Sequence, residues 1–159
     1  MFDEIMGLPA HPLIIHFAVV LTPLLVVVAI AYALLPRWRV NVAWAVVLLS
    51  LAAPAAVFAA RESGESLKAA RFGTAEGEMA ARISTHQSFA TPLLMSVLGL
   101  GVAALLLVYA TRPARDSVGR DRFGRAVTVI LSALTVVLAA VSGYYVFQSG
   151  DSGARAVWS

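Results

Sequence analysis

Four stretches of this chain carry no charged residue: Phe17 to Leu35, Val42 to Ala60, Ser88 to Thr111 and Ala126 to Gly150. A helix on a soluble core needs one apolar face, whereas stretches apolar all round need an apolar solvent. Each run meets or approaches the ~20 residues that cross a ~30 Å hydrocarbon layer at about 1.5 Å per residue. Backbone N–H and C=O groups in lipid must be satisfied within the segment, so the spans are helices and not strands. The sequence therefore predicts an all-α integral membrane protein, a four-transmembrane-helix bundle with antiparallel neighbours. Its single domain covers 1–159, with helices over about 12–35, 42–61, 86–111 and 126–149 and an outer loop at 62–85. Composition agrees, with 60% hydrophobic and 13% charged residues, against about 45–50% and about 25% in soluble domains.

The connections set the orientation. Seven arginines (Arg37, Arg39, Arg112, Arg115, Arg120, Arg122, Arg125) lie in the 1–2 and 3–4 connections, against only Asp116 and Asp121. The other side carries five basic residues against seven acids. Short loops rich in Lys and Arg stay in the cytoplasm. The expectation is a bacterial inner-membrane, multi-pass protein with both termini and the 62–85 loop extracytoplasmic. Arginine placement of this kind is a topology signal, and it speaks against nucleic acid as a partner. Trp38, Trp44, Tyr109 and Trp158 fall near span ends, as interfacial anchors do. The first run is too long for a signal-peptide core, which predicts a retained helix.

Pro23 and Pro54 lie inside the first two spans and Pro92 early in the third, where each removes a backbone donor. Small residues four apart recur, as at Ala52/Ala56 and Gly99/Ala103, and favour close helix approach in lipid. Within 62–85, Glu65 to Ala70 and Ala75 to Ile83 read as helix formers broken near Phe72-Gly73. No internal repeat is evident beyond the suggestion of two antiparallel helix pairs.

With no cysteine, the chain has no disulfide, thiolate ligand or Cys nucleophile. It also lacks H-E-x-x-H, G-x-S-x-G and Walker motifs. What remains is histidine. His11 and His16 open the first helix and His86 opens the third, so topology gathers all three at the outer rim. His16 and His86 lie at similar depth and are the candidate ligands of heme b. His11, His16, His86 and Asp151 are the candidate ligands of a transition metal ion (Fe, Cu or Zn). His11 and His16 lie about 140° apart on a regular helix, poorly placed for one ion. His11, just before Pro12, is also a candidate cap residue. Glu62 and Glu65 read first as solvated acids, and Tyr144-Tyr145 as an interfacial pair. Capping and packing remain the competing reading of the histidines.

The segment HPLIIHFAVVLTPL (His11 to Leu24), SGESL from Ser63, HQSFA from His86 and the ending SGDSGARAVW from Ser149 resemble DUF2231, a bacterial membrane family, in its actinobacterial form. The resemblance covers nearly the whole chain. It implies four membrane helices and, because members are sometimes fused to a Rieske-type iron–sulfur domain, redox work. The family's closing motif commonly reads G-H-S-G-A, whereas this chain has Asp151 at the histidine position. The expected function is a small membrane redox/electron-transfer protein, with a quinone or other membrane redox subunits as partner. An accessory subunit of a larger membrane complex and an extracytoplasmic copper- or zinc-handling protein are the alternatives.

Overall fold

The computed structural model describes residues 4–5, 8–71, 73, 76–112 and 122–158. Two two-residue strands, β1 (Glu4–Ile5) and β2 (Leu8–Pro9), pair antiparallel with Glu4 opposite Pro9 and Ile5 opposite Leu8. Four long helices follow: α1 (Ala10–Leu34), α2 (Arg39–Arg71), α3 (Gly77–Thr111) and α4 (Arg125–Trp158). Each holds a stretch long and apolar enough to cross a membrane. A 3₁₀ turn at Pro36–Trp38 joins α1 to α2. There Arg39 donates from Nε to the Tyr32 carbonyl at 3.1 Å and from Nη2 to the Ala33 carbonyl at 3.5 Å. Those carbonyls belong to the last turn of α1, where no helical donor is left for them.

The helices outrun the expected boundaries. The loop expected at 62–85 is helix except around Gly73 and Glu76, and α4 runs past the expected end at 149. Charge at 61–85 marks departure from lipid, but it does not stop a helix. Pairs at i,i+4 support the helices beyond the apolar runs: Arg61–Glu65 at 2.8 Å, Arg82–Glu78 at 2.7 Å and Arg155–Asp151 at 2.9 Å. Each such pair contributes roughly 0.2–0.5 kcal/mol. His11 is likewise inside the first turn of α1 and not ahead of it.

The helices pack in the order α1–α2–α3–α4 around a ring, each on its sequence neighbour, with α4 closing on α1 and α1 diagonal to α3. Apolar side chains fill the inside (Leu25, Val46, Val97, Leu100 and Leu107 are fully buried) and also form the outside, where Phe17 is 64%, Trp44 67% and Phe147 70% exposed. An exterior this apolar suits lipid and not water.

An internal repeat that the sequence does not advertise organises this core. The buried positions of α1 (Ala18, Thr22, Leu25, Ala29, Tyr32, Ala33) reappear in α3, 75 residues later, as Leu93, Val97, Leu100, Ala104, Leu107 and Val108. Buried Val46, Ser50 and Ala53 of α2 reappear in α4, 89 residues later, as Thr135, Ala139 and Ser142. The bundle is thus two similar helical hairpins, α1–α2 and α3–α4. The hairpins meet closely where α3 crosses α2. Pro54 lacks the N–H that would serve the Ser50 carbonyl, and a Cβ on Gly101 would stand 2.8 Å from that oxygen. The absent side chain lets α3 cover the carbonyl that the proline leaves free.

Candidate functional site

His11 and His86 are quasi-equivalent, one at the start of each hairpin. His11 Nδ1 lies 3.0 Å from Ser63 Oγ and 3.1 Å from the Ala60 carbonyl, both on α2. His86 Nδ1 lies 3.1 Å from Ser152 Oγ on α4, with the Ser149 carbonyl as its second neighbour. Ala60 and Ser149, like Ser63 and Ser152, occupy matching places in the repeat. In both hairpins an imidazole from the first helix docks on the last turns of the second.

The hydrogen bonds determine which ring nitrogen carries the proton. Ser63 Oγ donates to the Ala60 carbonyl at 2.9 Å, and Ser152 Oγ donates to the Gln148 carbonyl at 2.7 Å. With its proton committed, each hydroxyl can only accept from the imidazole. The Ala60 carbonyl can only accept as well. Nδ1 therefore holds a hydrogen in both rings, which leaves Nε2 with a lone pair whenever the ring is neutral. Among the described residues no hydrogen-bond partner meets either Nε2.

Glycines make this docking possible. A Cβ on Gly64 would stand 3.1 Å from His11 Cε1, and one on Gly153 would stand 3.1 Å from His86 Cε1. Each ring thus lies against bare helix backbone immediately after the serine that holds it. The sequence carries a trace of this in the recurrence of acid–Ser–Gly, as Glu62-Ser63-Gly64 and Asp151-Ser152-Gly153. That short signal could have identified Ser63, Gly64, Ser152 and Gly153, which spacing arguments alone pass over.

His11 and His86 are both half-buried. His16 is elsewhere. It is exposed on the outer face of α1 beside Phe17 and Val20, with Nδ1 turned back to the Pro12 carbonyl. The structure thus docks His11 on α2 and His86 on α4 in the same manner, and leaves His16 out of this arrangement. The acids also point away from a shared site: Asp151 pairs with Arg155, and Glu62 and Glu65 both pair with Arg61. Among the described residues no three His, Asp or Glu side chains cluster to hold a metal ion. Tyr144 and Tyr145 stack edge to face at 5.3 Å between centroids, with Tyr144 exposed.

Residues 7–159 match a family described as predicted membrane proteins. The chain belongs to DUF2231. Neither a curated protein nor a solved structure matches it. Within this DUF2231 chain, the closing Gly150-Asp151-Ser152-Gly153-Ala154 contributes its serine and glycine to the seat of His86. Asp151, one residue before Ser152, instead faces Arg155.

Proposed function

We propose that this protein is a small membrane electron-transfer protein that binds b-type heme through His11 and His86. The observation that carries the reading is the pair of imidazoles whose Nδ1–H is held by a neighbouring helix while no described residue bonds Nε2. Ligating histidines are commonly fixed this way, because the second-shell bond orients the ring and strengthens the donor nitrogen. Two imidazoles are a complete protein ligand set for a porphyrin iron, which brings four nitrogens of its own. They are an incomplete set for zinc, which takes three or four protein ligands. Heme held in this way supplies one-electron exchange.

The chain's own residues do the rest. Ser63 and Ser152 fix ring orientation, and Gly64 and Gly153 admit the rings against the helices. The arginine-rich connections support a cytoplasmic position for the opposite end. That orientation puts the imidazoles at the outer face of the bacterial inner membrane, within reach of a quinone or an exported redox subunit.

The test is the visible spectrum of the detergent-purified protein, made with heme supplied, before and after dithionite. A Soret band lost in His11→Ala and in His86→Ala but kept in His16→Ala is the expected result. A colourless protein with stoichiometric copper or zinc would replace this reading with metal handling. A colourless, metal-free protein in which both alanine variants only melt earlier would make the imidazoles helix clasps. The same hydrogen bonds favour that second reading, an accessory bundle for a larger membrane complex.

A further inference from the structure

A groove of about 650 Å³ opens at the arginine-rich end, between the end of α1 and the start of α4. Its walls are mostly apolar, with Ala133, Val136 and Val137 among them, and Arg39, Arg125 and Thr128 line it as well. Arg39 is a fixed charge there: its guanidinium lies 5.7 Å from the Tyr32 ring centroid and is tied to the last carbonyls of α1. Arg125 opens α4 and is exposed.

We infer that this groove binds an anionic glycerophospholipid, with an acyl chain along α4 and the phosphate between Arg39 and Arg125. The volume lies within the ~300–1,000 Å³ usual for small-molecule sites. The chemistry is divided as a phospholipid is divided, with an apolar wall leading to two guanidiniums. Basic pockets between membrane helices select anionic headgroups, and a planar guanidinium can engage a phosphate through two hydrogen bonds.

The internal repeat supplies a comparison within the molecule. Ser132 and Ala133 of α4 correspond to Ala43 and Trp44 of α2, where Trp44 is 67% exposed on the outer face. The second hairpin thus has a methyl group at a lipid-facing position where the first has an indole. The small side chain leaves the groove its width, and Ala133→Trp fills it with a residue that the fold already accepts at the matching place.

The inference stands independently of the imidazole site. It is tested by native mass spectrometry of the detergent-purified chain, titrated in turn with phosphatidylglycerol and phosphatidylcholine of equal chain length. Phosphatidylglycerol is expected to be retained in preference. Retention should fall about five-fold in Arg125→Gln, as expected for one guanidinium near a headgroup, and should be lost in Ala133→Trp. Arg37→Gln, at the same end but outside the groove, is expected to bind as the wild type does. Equal retention of both lipids would overturn the inference, and so would undiminished phosphatidylglycerol binding in Ala133→Trp or Arg125→Gln.

Discussion

The crossing of α3 over α2 sets how closely the two hairpins pack, and a single methyl group at Gly101 tests it. A Cβ there would meet the Ser50 carbonyl oxygen at 2.8 Å and Pro54 Cγ at 3.7 Å. Carbon–oxygen contacts between helices settle near 3.3–3.6 Å, so the helices must part by about 0.5 Å at this point. The obstacle is backbone and cannot swing aside as a side chain can. Overpacking of this kind costs roughly 1–3 kcal/mol. Replacing glycine by alanine inside a helix also returns about 1 kcal/mol of propensity, which would blur a single measurement.

Gly99→Ala removes that ambiguity. Gly99 lies in the same helix, and its added Cβ would touch only Leu138 Cδ2 at 3.5 Å, an ordinary contact. The propensity gain is common to both variants, so the difference between them isolates the clash. Gly101→Ala should therefore be less stable than Gly99→Ala by about 1–3 kcal/mol. For a chain of this size that is about 2–12 °C in melting temperature, read by circular dichroism in detergent. Pro54→Ala adds the N–H that the Ser50 carbonyl lacks and draws that oxygen back into α2. In that background the penalty at Gly101 should shrink. Equal melting of Gly99→Ala and Gly101→Ala would refute the account of how the hairpins meet.

Other consequences follow from the same packing. Ser63→Ala and Ser152→Ala each remove one hydrogen bond to an imidazole while a carbonyl neighbour remains, so each should cost about 1 kcal/mol in a melting experiment. His16→Ala removes an exposed ring bonded only to its own helix, and its melting temperature should stay within about 2 °C of wild type, a surface-sized effect. Thr22, Ser50 and Ser142 bury hydroxyls without a hydrogen-bond partner among the described residues, and the repeat places Val97, Ala139 and Ala53 at the matching positions. Thr22→Val, Ser50→Ala and Ser142→Ala should thus be neutral or stabilising, by up to about 1 kcal/mol each. Arg39→Gln releases the last carbonyls of α1 and should lower the melting temperature, a loss of about 1 kcal/mol or more.

The four spans were legible because lipid imposes a demand that sequence shows directly: about twenty residues without charge. The gathering of the histidine-bearing helix starts followed from chain direction alone. Which histidines dock on a neighbouring helix did not follow. Depth pointed to His16 with His86, but depth ignores rotation about the helix axis, and α1 turns His11 toward α2 and His16 outward. The repeat was hidden for a related reason. Membrane packing constrains size and position more than identity, so Ala18 answers to Leu93 and Tyr32 to Leu107 without visible similarity. The connection between α3 and α4 is also longer than that between α1 and α2, so no single offset aligns both helix pairs.

Once the hairpins are superposed, single and paired features separate. His11 with Ser63-Gly64 and His86 with Ser152-Gly153 occur once per hairpin, with the same hydrogen bonds and the same close approach. A feature kept in both hairpins offers the same chemistry twice, which suits a ligand that accepts two like donors. A porphyrin iron has that symmetry, and a metal ion needing a third protein donor does not. His16 and the Arg125 groove have no like counterpart in the other hairpin: the matching positions hold Thr91 and Pro36. Paired features therefore direct the search for a shared cofactor, and unpaired ones direct it to the periphery, where one hairpin alone meets lipid.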